Sequence, residues 1–582
     1  MKQSVFNLNT LKAHPERNAF DLSHNDVFSC APGMLLPISC TEVLPNEHYV
    51  INPQIFLRTM PLNSAAFVRM RQHVEFFFVP MRVLCRQFNQ FVVGTKYPQS
   101  AIDSLNDFDN HLPSISLSNL ANSYNSAHGQ QNDGLGIPSR YGYLRLLDLL
   151  GYGVSSSRTP SETLYPDEYK QGSVTQSSPR LSILRLACYQ KIYQDYYRNP
   201  YWEPANASIF NFDDKFGLEL YNADIARVTD LLTLRYRNWA KDFFTSVQPS
   251  FQGAPFVTRS VAMGNFIVEP LDGARYFRAT DSSVKPHSGL PSNSSSNVSS
   301  LNVTAVAGGV SLTLPVHNIR AAFALDKLYR LQQQAGNGSY GEQIRNRFGF
   351  GGVHDDWKAS YIGGSSSPIS IGEVITTANT ENSSGQPSGL TGDIYGKASS
   401  VNDAKFVFDT KEHGIIMGIF SVTPDADYNA TQIDPHNFKL SFEQFFQPEF
   451  ERLGHQPLNS FYLSSLFPQL DGNQEVSNHN WLQRVLGFQN RYLEYKTGID
   501  RVHGQFCSGG TLSAWTAPRN SGILTQASPN YNLYSLKVSP NILNSICSVT
   551  FDGTEQTDPI LVDSHISIKA IRPMSVSDEP LL

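Results

Sequence analysis

The stretch Val68–Phe88, VRMRQHVEFFFVPMRVLCRQF, decides the fold class. At period two, Val68, Met70, Val74, Phe76 and Phe78 fall on one face, and Arg69, Arg71, His73 and Glu75 on the other. That is the alternation of a half-buried strand. Fully burying such apolar side chains favours folding by roughly 1.5–3 kcal/mol each, so this face belongs to a core. Phe77 breaks the alternation by placing a third phenylalanine on the polar face, and a helix or a second chain has to cover it. Pro80 has no N–H to donate and stops the ladder. From Met81 the period changes, with Leu84, Phe88, Phe91 and Val92 at helical spacing up to Gly94. A strand runs directly into a helix.

Composition extends this reading to the whole chain. Of 582 residues only 16% are charged, while 12% are aromatic and Gly (40) and Pro (34) are frequent. Few charges, much Phe and Tyr, and many turn residues favour an all-β protein with long loops. The net charge of −6 argues against strong global attraction to nucleic acid or anionic membrane. No apolar run reaches the length of a membrane span, and MKQSVFNLNTLKAHPERN lacks the apolar centre of a signal peptide. Neither membrane insertion nor secretion is expected. Cys30, Cys40, Cys85, Cys188, Cys507 and Cys547 include no CxxC pair, and their spacing matches neither a zinc site nor a disulfide framework. Free thiols in a reducing cytoplasm follow.

Along the chain, residues 1–35 read as an extended N-terminal arm, polar and without a sustained period. LPISCTEVLPNEHYVINPQIFLRTMPL supplies short strands punctuated by Pro. Residues 96–180, rich in Ser, Asn, Asp and Gly, form a long insertion with one helical piece at YGYLRLLDLLGYG. LSILRLACYQKIYQDYYRNP predicts a helix with a stripe of Leu181, Leu184, Cys188, Ile192 and Tyr196, ended by Pro200. NIRAAFALDKLYRLQQQAG predicts another, with Asn318 as N-cap and Gly336 past its end. Between them lies HSGLPSNSSSNVSSLNVTAVAGGVS, too polar to build a core of its own. FVFDTKEHGIIMGIFSVTP reads as a hairpin and HISIKAIRP as a terminal strand ended by Pro573. The expectation is one domain over 1–582, a β-sandwich with long inserted loops that carry several helices.

Catalytic chemistry is not signalled. The sequence has no G-x-S-x-G elbow, P-loop or HExxH, and no paired carboxylates suited to acid–base work. His354-Asp355-Asp356 lacks partners at ligand spacing, so no metal site or cofactor is expected. His413 sits beside Gly414 at a turn. No enzyme is predicted. For nucleic acid, RVTDLLTLRYRNWAKDFF sets Arg227, Arg235, Arg237 and Lys241 among aromatics. Such residues can contact phosphates and stack bases. The competing reading is a helix-to-strand segment with a solvated basic side. YQKIYQDYYRNPYW reads as a Tyr-rich packing surface between subunits.

Six segments, in order, resemble one family: EFFFVPMRVL, YQKIYQDYYRNP, RYRNWAKDFFTSVQPSFQG, FGFGG followed by YIGGSSSPI, TKEHGIIMGIFSV, and GFQNRYLEYKTGIDRVHGQF. They are similar to the major capsid proteins of the Microviridae, the tailless icosahedral single-stranded DNA phages, and most to the gokushovirus type. The resemblance implies an eight-stranded jelly roll, the viral capsid β-barrel, with sixty copies closing a T=1 shell through pentamer intermediates. It implies a circular single-stranded DNA genome inside, with Arg235, Arg237 and Lys241 as candidate contacts. The partners implied are an internal scaffolding protein, a small basic DNA-binding protein and a bacterial surface receptor. The setting implied is the virion, assembled in the host bacterial cytoplasm. Residues 264–312 stand where relatives carry an exposed insertion that builds three-fold protrusions. Within it Ser292, Asn293, Ser294, Ser295, Ser296, Asn297, Val298, Ser299 and Ser300 form the candidate host-attachment loop.

The alternative is a carbohydrate-binding β-sandwich, because jelly rolls also serve as lectins. A lectin would usually bring a signal peptide, which the sequence does not signal.

Overall fold

The computed structural model describes residues 16–93, 112–120, 139–153, 180–206, 225–249, 357–463, 485–519, 536–547 and 558–576, apart from short internal gaps and together with a few isolated positions. Ten strands make one curled antiparallel sheet. They are β1 (Asn18–Asp21), β2 (His24–Cys30), β3 (Leu36–Val43), β4 (His48–Thr59), β5 (Met70–Pro80), β6 (Ser360–Ile375), β7 (Ile394–Asp403), β8 (Phe406–Asp409), β9 (Gly414–Pro424) and β10 (Ile560–Arg572). The described residues are mostly β, with few helices.

Pairing divides the sheet into two halves. In one, β1 and β2 share an edge of β10, β10 pairs β4, and β7 and β8 share the far edge of β4. In the other, the order is β3–β9–β5–β6. The long β6 joins them, pairing β5 up to Ile369 and β7 from Ser370 onward. Pro53 lies within β4 where pairing on one edge passes from β8 to β7, a place where a residue without an N–H is tolerated.

The core lies between the halves. β5 buries Met70, Val74, Phe76 and Phe78 as its alternation predicts. Phe28 meets Phe420 at 5.6 Å, Phe76 meets Phe406 at 5.7 Å, and Phe78 meets Phe408 at 5.2 Å, contacts that fill the space with edge-on and tilted rings. β9 is apolar and buried on both faces, the pattern of a central strand covered on each side.

Several expectations change. Residues 18–21 and 24–30 of the expected arm are strands of the sheet. The helix from Met81 is two short ones, α1 (Met81–Leu84) and α2 (Phe88–Val93), because Cys85 leaves helical geometry at φ −141°, ψ 108°. β8 and β9 are not a hairpin. β8 pairs β4 while β9 pairs β3 and β5, so the chain crosses between the halves at residues 410–413. Thr410 fixes that crossing, its N–H donating to Glu47 O at 2.9 Å and its hydroxyl to Leu44 O at 2.5 Å.

Helix α3 (Ser139–Leu149) falls within the long insertion, and α4 (Leu184–Ile192) and α5 (Ile225–Leu232) follow. Arg145 of α3 makes a buried ion pair with Asp558 and donates to Ser29 O, tying the insertion to β2 and the approach to β10. Leu181 lies outside α4, in a short strand Arg180–Ser182 paired with Ser114–Ser116. Burial on α4 is not a single stripe, since Leu186, Tyr189 and Gln190 are buried along with Leu184, Cys188 and Ile192. The helix packs against β5, β9, α1 and α5 together. The expected helix at 318–336 is described only at Ala324 and Lys327, both helical. His354–Asp356 and the whole of 264–312 lie outside the described residues. Among the described residues no helix is long and apolar enough to cross a membrane.

Candidate functional site

The cover over Phe77 positions the candidate site. After Ile192 the helix widens into a π-helical turn, Tyr193–Tyr197, which brings two adjacent tyrosines onto the strand. Tyr196 and Tyr197 stand 4.8 and 5.9 Å from Phe77, and Tyr361 of β6 stands at 5.5 Å. An inserted helix of the same chain therefore buries the ring that breaks the strand pattern. The Tyr-rich segment, expected to pack between subunits, spends Tyr193, Tyr196 and Tyr197 inside its own subunit.

Beside this cage the segment after α5 runs extended, bridging Met34 through Tyr236 and Lys537 through Asn238. Leu234 and Tyr236 are buried, and the half-buried Arg235 and Arg237 find partners on their own side of the segment. Arg235 donates from Nε to Gln190 Oε1 at 2.8 Å, lies 3.9 Å from Glu203 and stacks over Tyr193 at 5.0 Å. Arg237 grips Glu75 at 2.8 and 3.4 Å, reaches Ser421 Oγ at 3.1 Å and lies over Tyr197 at 5.5 Å. Tyr197 donates to the same Glu75 carboxylate. Burial pushes the Tyr197 phenol well up, and Glu75 adds to the shift, so it remains a neutral donor. Tyr193 donates to Glu203 at 2.5 Å and accepts from the buried Lys537 at 2.9 Å. Both arginines are thus engaged in internal ion pairs.

Lys241 differs. It is exposed, and among the described residues it has no ion-pair or hydrogen-bond partner. It stands at a cleft of about 400 Å³ with Arg198, Tyr201, Arg237, Trp239 and Gln248 in its wall. Among the described residues of that wall Glu75 is the single carboxylate, and Arg237 neutralises it. The cleft therefore offers cationic charge beside aromatic faces, and can receive an anion attached to a flat group. Of the three predicted contacts the cleft brings together Arg237 and Lys241, whereas Arg235 lies behind it. Glu75 and the π-helical turn were missed at the sequence level. A lone carboxylate beside Phe77 on the strand's polar face was the available signal.

No group of three or more His, Cys, Asp or Glu side chains suited to a metal occurs among the described residues. None of the six cysteines forms a disulfide, and five are buried. Burial raises the thiols of Cys30, Cys188 and Cys547, which makes them poor nucleophiles.

Comparison with known proteins decides the family. Residues 9–140 and 161–582 match the profile described as Capsid protein (F protein). The chain belongs to the phage F capsid-protein family. It is 23% identical to capsid protein VP1 of Chlamydia phage 1, over 97% of this chain and 95% of that protein. The profile match is broken only at 141–160, inside the 96–180 insertion, so most of that insertion lies within the matched span. Proteins of the F capsid family are structural components of the virion, where copies of one chain build a shell, and they are not enzymes. The chain is accordingly a capsid protein of a Microviridae phage.

Proposed function

We propose that this capsid protein folds as an eight-stranded jelly roll and that sixty copies close a T=1 icosahedral shell around a circular single-stranded DNA genome. Strand order carries the reading. Counting from β2, with β7 and β8 as one interrupted strand, the halves run first–eighth–third–sixth and second–seventh–fourth–fifth, the interleaving of two Greek keys in a jelly roll. Electron microscopy of purified virions tests it. Closed particles of sixty barrels are expected, and an open or differently wound assembly would overturn it.

Lys241 is the proposed contact to packaged DNA, with Arg235 and Arg237 holding the surface that presents it. The net charge of −6 leaves most genome charge to be neutralised by other means, so a small basic DNA-binding protein is proposed as a partner, along with an internal scaffolding protein during assembly from pentamers in the host cytoplasm. Lys241→Ala should leave particle yield intact and weaken ordered DNA density beside the cleft; unchanged density would remove the assignment. Residues 264–312 are proposed to project outward and meet a bacterial surface receptor. Deleting Ser292–Ser300 should preserve shells and lower adsorption to host cells, and normal adsorption would remove that role.

A further inference from the structure

Two exposed surfaces of the described chain are opposite in charge and both apolar. The first is a knuckle in the segment 440–449. Leu440 is 91% exposed, Phe442 75% and Phe445 50%, far more than a chain leaves to water without a partner. Glu443 and Glu449 flank these side chains, exposed and without an opposite charge among the described residues.

The knuckle is held in shape from within. Gln444 Oε1 accepts from the N–H groups of Leu440 and Ser441 at 2.5 and 3.0 Å. Phe446 rests on Tyr492 at 5.2 Å, and the Tyr492 hydroxyl bonds the backbone of Phe445 and Gln447 at 3.2 and 3.3 Å. Below, the buried Lys439 lies 3.0 Å from Glu494 and 3.5 Å above Tyr495. Aromatic side chains presented on a fixed backbone lose little entropy on docking.

The second surface is the outer face of β7 and β8. Val401 is 65% exposed and Val407 54%. Because Val401 pairs Phe56 and Val407 pairs Val50, both point outward from the same edge of β4. Lys397, Lys405 and Lys411 surround them, exposed and without a carboxylate partner among the described residues. Of the acids on this face, Asp409 is held by His48 at 2.7 Å, which leaves Asp403 and, across Phe56, Asp563 against the three lysines and the exposed Arg58 and Lys569 of β4 and β10.

We propose that the acid-flanked aromatic knuckle of one copy docks on the lysine-flanked valine strip of a second copy. The occupant follows from charge complementarity together with the shell-forming nature of the family, and so rests on the capsid reading. The two patches differ, so the contact is heterologous, head to tail, and propagates around a ring when the rotation closes. Phe442 and Phe445 supply the buried anchors, while Glu443 and Glu449 set the register against the lysines.

Charge exchange tests this in virions recovered from infected cells. Glu443→Lys with Glu449→Lys should lower particle yield by at least about tenfold, while soluble subunit keeps wild-type circular dichroism. Adding Lys397→Glu and Lys405→Glu should recover most of that loss, and Phe442→Ala with Phe445→Ala should lose yield that no charge change restores. Normal yield from the glutamate variants, or no recovery in the exchanged set, would overturn the contact while wild-type particles keep the capsid reading intact. Absence of wild-type particles would remove both.

Discussion

Glu75 on β5 receives two nitrogens of Arg237, at 2.8 and 3.4 Å, in a site where each side chain is only about one-fifth exposed. The pair ties the extended segment after α5 to the centre of the β3–β9–β5–β6 half. Removing one partner strands the other charge in a poorly hydrated site.

Arg237→Ala is therefore expected to cost about 2–3 kcal/mol, somewhat below the range for fully buried pairs because water reaches part of this one. Glu75→Leu with Arg237→Met should recover part of that loss, since no charge is then stranded. Urea unfolding of the soluble subunit reads both. A double variant no better than the single would show that the pair is not what holds this segment.

Phe77→Ala should cost about 3–5 kcal/mol, because the ring has three tyrosines around it and is 1% exposed. Phe77→Leu should cost less, as it keeps most of the volume. Equal losses would show that the cage recognises the aromatic ring itself.

The strand face of β5 was legible because Met70, Val74, Phe76 and Phe78 at period two, continued from Val68 just before the strand, leave little choice. Gln72 was not: it lies on that same face, fully buried, and donates to Ser400 at 2.9 Å. A buried amide needs a partner more than 300 residues away in the chain, and periodicity cannot supply one. The supposed hairpin failed for a related reason. Two strands with a short turn between them look alike in sequence whether they pair with each other or cross between sheet halves. Here the contacts of Thr410 with residues 44–47 decide, and they are non-local. At the candidate site, basic residues among aromatics were legible as a cluster. Their acidic partners, Glu75 and Glu203, lie elsewhere in the chain, so which cation stays exposed was not.

Gly414→Ala should destabilise by about 1–3 kcal/mol. An added Cβ would lie 2.3 Å from the Phe78 ring and 2.7 Å from the carbonyl of Val79, and a backbone carbonyl in a paired strand cannot retreat. Gly418→Ala, meeting the Phe76 ring at 2.8 Å, should cost less because a ring can tilt. Gly498→Ala is the control, with nothing within 4 Å of its added atom. Comparable melting temperatures for Gly414→Ala and Gly498→Ala would refute the close-approach argument.

His73 supplies a pH dependence. Burial lowers its pKa to about 4, and the guanidinium groups of Arg237 and Arg71 add to the effect against the opposing pull of Glu75. Its Nε2 lies 2.9 Å from Thr423 Oγ1. In the unfolded chain an imidazole titrates near 6.5, so between about 6.5 and 4 the unfolded state binds more protons than the folded one. The stability linked to His73 is then fully present above about pH 6.5 and is lost progressively as pH falls toward 4. Asp434 and Glu494, whose pKa values are lowered, lose stability at the acid end, whereas Asp195 and Asp427, whose values are raised, act in the opposite sense. The window from pH 7 to 5 isolates the histidines best, and His455, whose pKa burial also lowers, acts there in the same sense as His73. Urea midpoints of the wild-type subunit should fall across that window, and those of His73→Gln should fall less steeply. Parallel slopes for the two proteins would mean that His73 titrates alike in the folded and unfolded chain, and would assign the pH dependence to other groups.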